Sequence, residues 1–374
     1  MIINIIGWYG TETLGDLAIL DGILAVINEI EPVSTVKIGS LYPFYTQRTL
    51  YEEKQVFKDT APNVDFEIFD VKDKDKTYQN IKKADLLMIG GGPLMDLEEM
   101  FLLRNCFRFA KDFGIPRIIM GCGVGPLRQN RYIDVFKEII SMASDIYLRD
   151  RLSLKSCENL CGKQENIKVI GDPAIISIEK FKQKNDCSII QDEKILVINF
   201  RDYPSHEYGD VGDFSEKHCR KIIDYLCDDY EKIFLIPMHT FGIGGDDRLF
   251  LTRVLQGQKY KNTYVKHSPM NLHELYQIYA NATSCIGMRY HSVVMQTILN
   301  GNNYIVEYTN HIDGKIAGFL DFIGEKEYYK ERNWNIRDNL QVEKLDILKD
   351  EQKYPYRMSS MKKDYVQVIK KYIC

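Results

Sequence analysis

The sequence predicts an α/β protein built from two Rossmann-like halves with an interdomain cleft, and three observations carry that prediction. Short apolar runs, such as Ile2-Ile3-Asn4-Ile5-Ile6 and Ile195-Leu196-Val197-Ile198-Asn199, alternate with longer amphipathic segments, the pattern of βαβ units on a parallel sheet. Between residues 179 and 193 the pattern dissolves into Lys, Gln, Asn, Asp and Ser and then restarts, so this polar stretch reads as a linker. At 374 residues the chain is also longer than one hydrophobic core usually serves. The expected division is a first domain over 1–180, a second over 194–345, and a closing helical segment over 346–374 that braces the halves.

In the first half, apolar runs give strands at 1–6, 35–39, 65–69, 85–89, 117–121, 145–149 and 167–170. Helical periodicity falls between them at 16–30, 47–58, 76–83, 100–113, 132–143 and 151–160. Asp16, after Gly15, reads as an N-cap, and three strands run into glycine: Gly7 with Gly10, Gly90-Gly91-Gly92, and Gly121 to Pro126. In the second half the strands fall at 195–199, 232–237, 263–266, 284–287 and 303–308, with helices at 215–228, 246–255, 271–281 and 292–300. A last helix is expected at 358–373.

Apolar residues make up 45% and charged residues 27%, with a net charge of −4. That balance gives no electrostatic reason to expect a nucleic-acid binder. Nine cysteines at irregular positions argue for reduced thiols in a reducing compartment. Cys157 and Cys161 share a helix face but lack a second Cys/His pair nearby, so they read as packing rather than a zinc site. The N-terminus begins directly with a buried strand and lacks the charged and apolar regions of a signal peptide. No apolar stretch is long enough to span a bilayer, and the expectation is a cytoplasmic protein.

Chemistry concentrates at the ends of predicted strands. Gly287-Met288-Arg289-Tyr290-His291-Ser292 follows a strand and precedes a helix, a place where open α/β sheets bind ligands and helix ends favour anions. Arg289 suits a carboxylate or phosphate and His291 a proton transfer; the plain alternative is ordinary surface contact. Arg201 and His239 end two neighbouring strands, so four such residues gather at one sheet edge, which favours a site. Lys315 lies beyond the last strand. In the first half, Gly10, Asp16, Gly91 and Gly92 belong to loops where backbone can approach a polar ligand, or which are simply tight strand-to-helix turns. Arg149 either holds an anion or pairs with Asp150 or Asp172. Asp172 either caps a turn or accepts a hydroxyl. The first loop lacks both the P-loop ending and the dinucleotide fingerprint.

Taken in order, several motifs resemble the polysaccharide pyruvyl transferase family. They are Gly15-Asp16 with Ala18-Ile19-Leu20, Gly90 to Gly92, Gly121 to Pro126, Arg149-Asp150 with Ser153, Gly171-Asp172-Pro173-Ala174, and Gly287-Met288-Arg289-Tyr290-His291. The resemblance runs from Gly7 to about Lys315; the family often has Asn in the first loop, where this chain has Thr11-Glu12-Thr13. It implies a GT-B-like fold and transfer of the pyruvyl unit of phosphoenolpyruvate onto two sugar hydroxyls, giving a cyclic ketal and phosphate in bacterial surface polysaccharide assembly. It also implies that Arg149, Arg289, His291 and Lys315 carry activity. The first domain is then the acceptor side and the second the phosphoenolpyruvate side. Arg is suited to forked binding of the donor's carboxylate and phosphate, and His to its proton transfers. The reaction needs no metal or redox cofactor, phosphoenolpyruvate being a co-substrate.

Two other readings fit the architecture: a GT-B glycosyltransferase using a nucleotide-sugar, and a non-catalytic sugar- or anion-binding protein. A lipid-linked acceptor would require peripheral docking at the inner membrane. The segments Leu41-Tyr42-Pro43-Phe44-Tyr45 and Met100-Phe101-Leu102-Leu103-Arg104 are candidate surfaces for that, although such runs are more often core or interdomain packing.

Overall fold

The structure is a computed structural model that describes residues 1–10, 13–30, 33–185, 193–204, 214–240, 245–309, 314–350 and 353–373. It divides into two compact units, Met1–Ser177 with Ser359–Cys374, and Ile178–Met358.

The first unit contains β1 (Ile2–Ile6), β2 (Thr35–Ser40), β3 (Asp65–Asp70), β4 (Leu86–Gly90), β5 (Pro93–Leu94), β6 (Arg117–Val124), β7 (Asp145–Leu148) and β8 (Ile167–Val169). They form one parallel sheet in the order β3-β2-β1-β4-β6-β7-β8, with β5 pairing β6. The chain reverses direction across the sheet between β1 and β4. A parallel sheet covered on both faces demands apolar residues at successive positions; Ile3, Ile5 and Ile6 of β1 and Leu86 to Met88 of β4 are fully buried accordingly. One face packs on helices Glu99–Asp112 and Asn130–Met142 through Phe107, Phe136 and Ile139.

The second unit contains β9 (Ile195–Asn199), β10 (Lys232–Leu235), β11 (Thr263–Val265), β12 (Ser284–Gly287), β13 (Asn303–Glu307) and β14 (Asn333–Asn335). Their order, β11-β10-β9-β12-β13-β14, is parallel throughout. It is the doubly wound Rossmann order, with its switch point between β9 and β12. Ile198, Ile233, Leu235, Ile286 and Val306 meet Ile223 and Leu251 in its core.

Several elements differ from the sequence expectation. Residues 173–184 form the helix Pro173–Lys184, so the linker expected from 179 is helical at its start. Pro173 opens the first turn, where its missing N–H costs nothing, and Ala174, Ile175, Ile176, Ile178 and Phe181 are buried. The division between units falls inside this helix, and residues 186–192 of the expected linker lie outside the described ones. The first helix is Leu14–Ile27 with Thr13 as N-cap, so Asp16 stands in the first turn rather than capping it. Residues 47–58 divide between helices Pro43–Glu52 and Lys54–Thr60. β5, β14 and the helix Lys315–Phe322 were not anticipated. The last helix, Met361–Ile373, belongs to the first unit, where Tyr365 donates to Gly171 O at 2.8 Å and Lys362 pairs with Glu29 at 2.6 Å.

Candidate functional site

At the switch point of the second sheet, Gly287 of β12 lies in register with Asn199 of β9. Asn199 is fully buried; its amide donates to Ile236 O at 2.9 Å, and its Oδ1 accepts from the Arg289 backbone N–H at 3.0 Å. Arg289 is thereby fixed as the extended N-cap of helix Tyr290–Leu299. That helix starts two residues earlier than its periodicity suggested, so Tyr290 and His291 occupy its first turn instead of an extended segment. The imidazole of His291 packs edge-on against Tyr290, ring centroids 4.9 Å apart.

The Arg289 guanidinium is held side-on by Asp247, Nε at 2.7 Å and Nη2 at 2.5 Å. Asp247 is 3% exposed, and its Oδ2 also accepts the backbone N–H groups of Met238 and His239, both at 3.1 Å. One carboxylate thus ties the end of β10 to the arginine beyond β12. A side-on pair uses the Nε edge of the fork and leaves its Nη1 end for a second anion.

Tyr308, just past β13, is fully buried with two cations against its ring: Lys315 Nζ lies 5.0 Å and Arg201 Cζ 5.4 Å from the centroid. Burial pushes the phenol up, yet Lys315, Arg201 and Arg289 together hold it below its ordinary 10.0. Lys315 opens helix Lys315–Phe322, where the helix dipole disfavours a cation. Three cations near two helix N-termini make an environment suited to an anion with more than one charged group. The structure therefore brings Arg201, Arg289 and Lys315 around Tyr308 and joins His239 to Arg289 through Asp247.

The first-unit candidates gather separately. Arg149 is 7% exposed, its Nε donates to Asp150 Oδ2 at 3.0 Å, and its guanidinium lies over Gly123, where a Cβ would come within 2.5 Å of Cζ. Asp150 is one of the two partners the sequence offered for Arg149. Asp172 Oδ1 accepts from Ala174 N–H at 3.0 Å, the turn-capping geometry. The glycine loops face protein: a Cβ would come within 2.4 Å of Thr46 at Gly10, 2.3 Å of Ile19 at Gly91 and 2.4 Å of Trp8 at Gly92, and all three have positive φ. On the side where a Cβ would project, these glycines permit tight internal packing. Asp16 lies near the buried Tyr9, whose hydroxyl donates to Gly90 O. Of the aromatic segments, Leu41, Met100 and Leu103 are core, whereas Phe44 is 71% exposed. Among the described residues no helix is long and apolar enough to cross a membrane.

Sequence reasoning did not single out Asp247, Asn199 or Tyr308. Asp247 carried one legible signal, an acidic residue opening a helix after a glycine loop. Its partner stands 42 residues away, a separation no local pattern reveals.

A family model described as polysaccharide pyruvyl transferase matches residues 14–310. No curated protein matches the chain in sequence. Among solved structures, UDP-GlcNAc 2-epimerase from Methanocaldococcus jannaschii is similar with a TM-score of 0.62 at 13% identity, over 99% of this chain and 100% of that one. UDP-N-acetylglucosamine 2-epimerase from Rickettsia bellii has a TM-score of 0.58 at 13% identity, over 100% and 97%. At that identity the likeness shows the fold alone, which is GT-B.

Proposed function

Because the chain belongs to the polysaccharide pyruvyl transferase family, we propose that it moves the pyruvyl unit of phosphoenolpyruvate onto two hydroxyls of a sugar. One acceptor hydroxyl bonds through its oxygen to the donor's central carbon and loses its proton, while a proton is added to the methylene carbon. The C–O bond to phosphate then breaks, and the second hydroxyl bonds to the same carbon and loses its proton. The products are a cyclic ketal and inorganic phosphate.

The observation that carries this reading is the cation group Arg201, Arg289 and Lys315 around Tyr308 at the switch point of the second sheet. Phosphoenolpyruvate brings a carboxylate and a phosphate to the same few ångströms, and a site of this kind matches both. Arg289, its fork pre-set by Asp247, grips one anionic group; Lys315 and Arg201 neutralise the other. His291, in the first turn of its helix, protonates the departing phosphate or takes the hydroxyl proton. The bacterial setting, the cytoplasmic location and an acceptor that is a sugar or a lipid-linked oligosaccharide belong to the same proposal.

The test is release of inorganic phosphate from phosphoenolpyruvate over a panel of galactosides, glucosides and mannosides. Acceptor-dependent release is the expected result. Thermal stabilisation by a nucleotide-sugar and not by phosphoenolpyruvate would overturn the reading in favour of a glycosyltransferase.

A further inference from the structure

Glu307, the last residue of β13 and the chain neighbour of Tyr308, is fully buried. Its Oε1 accepts from the Thr309 backbone N–H at 2.8 Å and from the Thr309 hydroxyl. Its Oε2 is cut off from solvent and has no hydrogen-bond partner among the described residues. Two cations act on it electrostatically: Lys315 on the following helix, and Arg337 beyond β14. Arg337 spends its Nη1 on Thr309 O at 2.8 Å and Tyr308 O at 3.4 Å. A carboxylate oxygen sealed from water without a donor strongly favours the neutral acid. Burial accordingly raises this group above its ordinary 4.5, against the opposing pull of Thr309, Lys315 and Arg337.

We propose that Glu307 is a positioning residue that sets the charge of the anion site through Lys315. Protonated, it leaves the full positive charge of Lys315 to the bound anion; ionised, it draws Lys315 onto itself and cancels one charge. This rests on reading the cation group as the donor site, but it applies to any dianion held there. The sign is definite: anion affinity is highest while Glu307 is neutral and falls as pH rises through its titration.

The experiment measures binding of sulfate, whose charge is constant across the range, and of phosphoenolpyruvate, to the whole chain from acidic to mildly alkaline pH. Wild type is compared with Glu307→Gln, which keeps the size and neutrality of the acid. Below the Glu307 titration both should bind equally. Above it wild type should bind at least about tenfold more weakly, a floor for one added charge acting on a dianion at an effective dielectric of ~20, while Glu307→Gln holds its affinity. Taking the ratio of the two proteins removes contributions common to both. Lys315→Met in the presence of Glu307 should move the same pH step to higher pH, because Glu307 loses a cation that favours its ionised form; this keeps the test open if the Gln variant does not fold. Parallel pH profiles in wild type and variants, or no sulfate binding at any pH, would overturn the role of Glu307. Sulfate binding with the expected step, but none of phosphoenolpyruvate, would uphold it and overturn the pyruvyl reading.

Discussion

Replacing Asp247 by Ala should be the most costly single change at the second-unit site, and the size follows from what the carboxylate holds. It accepts two charge-assisted bonds from Arg289 and two backbone N–H groups, from Met238 and His239. Removing one partner of a buried ion pair costs about 3–5 kcal/mol. Arg289 retains 16% side-chain exposure, so water recovers part of its solvation and the lower figure applies, ~3 kcal/mol. Met238 is 1% exposed, and stranding its N–H adds about 1 kcal/mol. The sum, roughly 4 kcal/mol, corresponds to a fall of about 8–16 °C in the melting of this unit. Arg289→Met should cost less, about 2 kcal/mol, because Asp247 keeps its two backbone donors. Urea denaturation of wild type, both single variants and the double variant closes a thermodynamic cycle. The coupling energy should be at least ~1.5 kcal/mol. A coupling below ~0.5 kcal/mol, or an Arg289→Met variant less stable than Asp247→Ala, would refute the argument that Asp247 pre-sets the arginine.

Three further outcomes can be checked. His291→Ala should lower phosphate-release turnover about 10²–10⁴-fold while leaving melting and donor affinity nearly unchanged; early melting would mark the imidazole as structural. Gly22→Ala places a Cβ 1.9 Å from Pro173 O, a backbone atom that cannot swing aside, and should cost about 1–3 kcal/mol or more by chemical denaturation. Asp145 accepts from Lys371, Tyr372 and Tyr147; burial raises its carboxyl, but Lys371 and Tyr372 outweigh it and hold the group below its ordinary 3.8. A depressed carboxyl stabilises the fold above its unfolded value and loses that contribution as pH falls through its folded value. Lys371→Met should therefore melt earlier than wild type at neutral pH, with the gap closing in strong acid.

The sheets were legible because their chemistry is local. β9 and β12 match the predicted runs residue for residue, since a strand buried on both faces is apolar through its middle. Elements with mixed signals were lost. The helix Pro173–Lys184 begins with a proline and ends in Lys and Gln, which read as punctuation and linker, although Ile175, Ile176, Ile178 and Phe181 carried a helical spacing. β14, with the sequence Asn-Trp-Asn, has no apolar run because it sits at a sheet edge. At the site, Arg201 and Arg289 were readable from their place at strand ends, and Lys315 from the family resemblance. What surrounds them was not: Asn199, Asp247 and Tyr308 act through contacts between segments far apart in sequence. Nor did the sequence reveal that Thr46, Ile19 and Trp8 fill the space a Cβ would need at Gly10, Gly91 and Gly92.

The membership of the helix Met361–Ile373 in the first unit has a consequence for how the protein is made. A ribosome delivers the eight strands of that unit first and this helix only after the whole second unit has emerged. Until then Gly171 O waits for the Tyr365 hydroxyl, and the surfaces that cover Ile369 and Ile373 remain open to water. The nascent first unit is thus an unfinished fold for the time needed to translate some 180 residues, and the part synthesised first is the last to be completed.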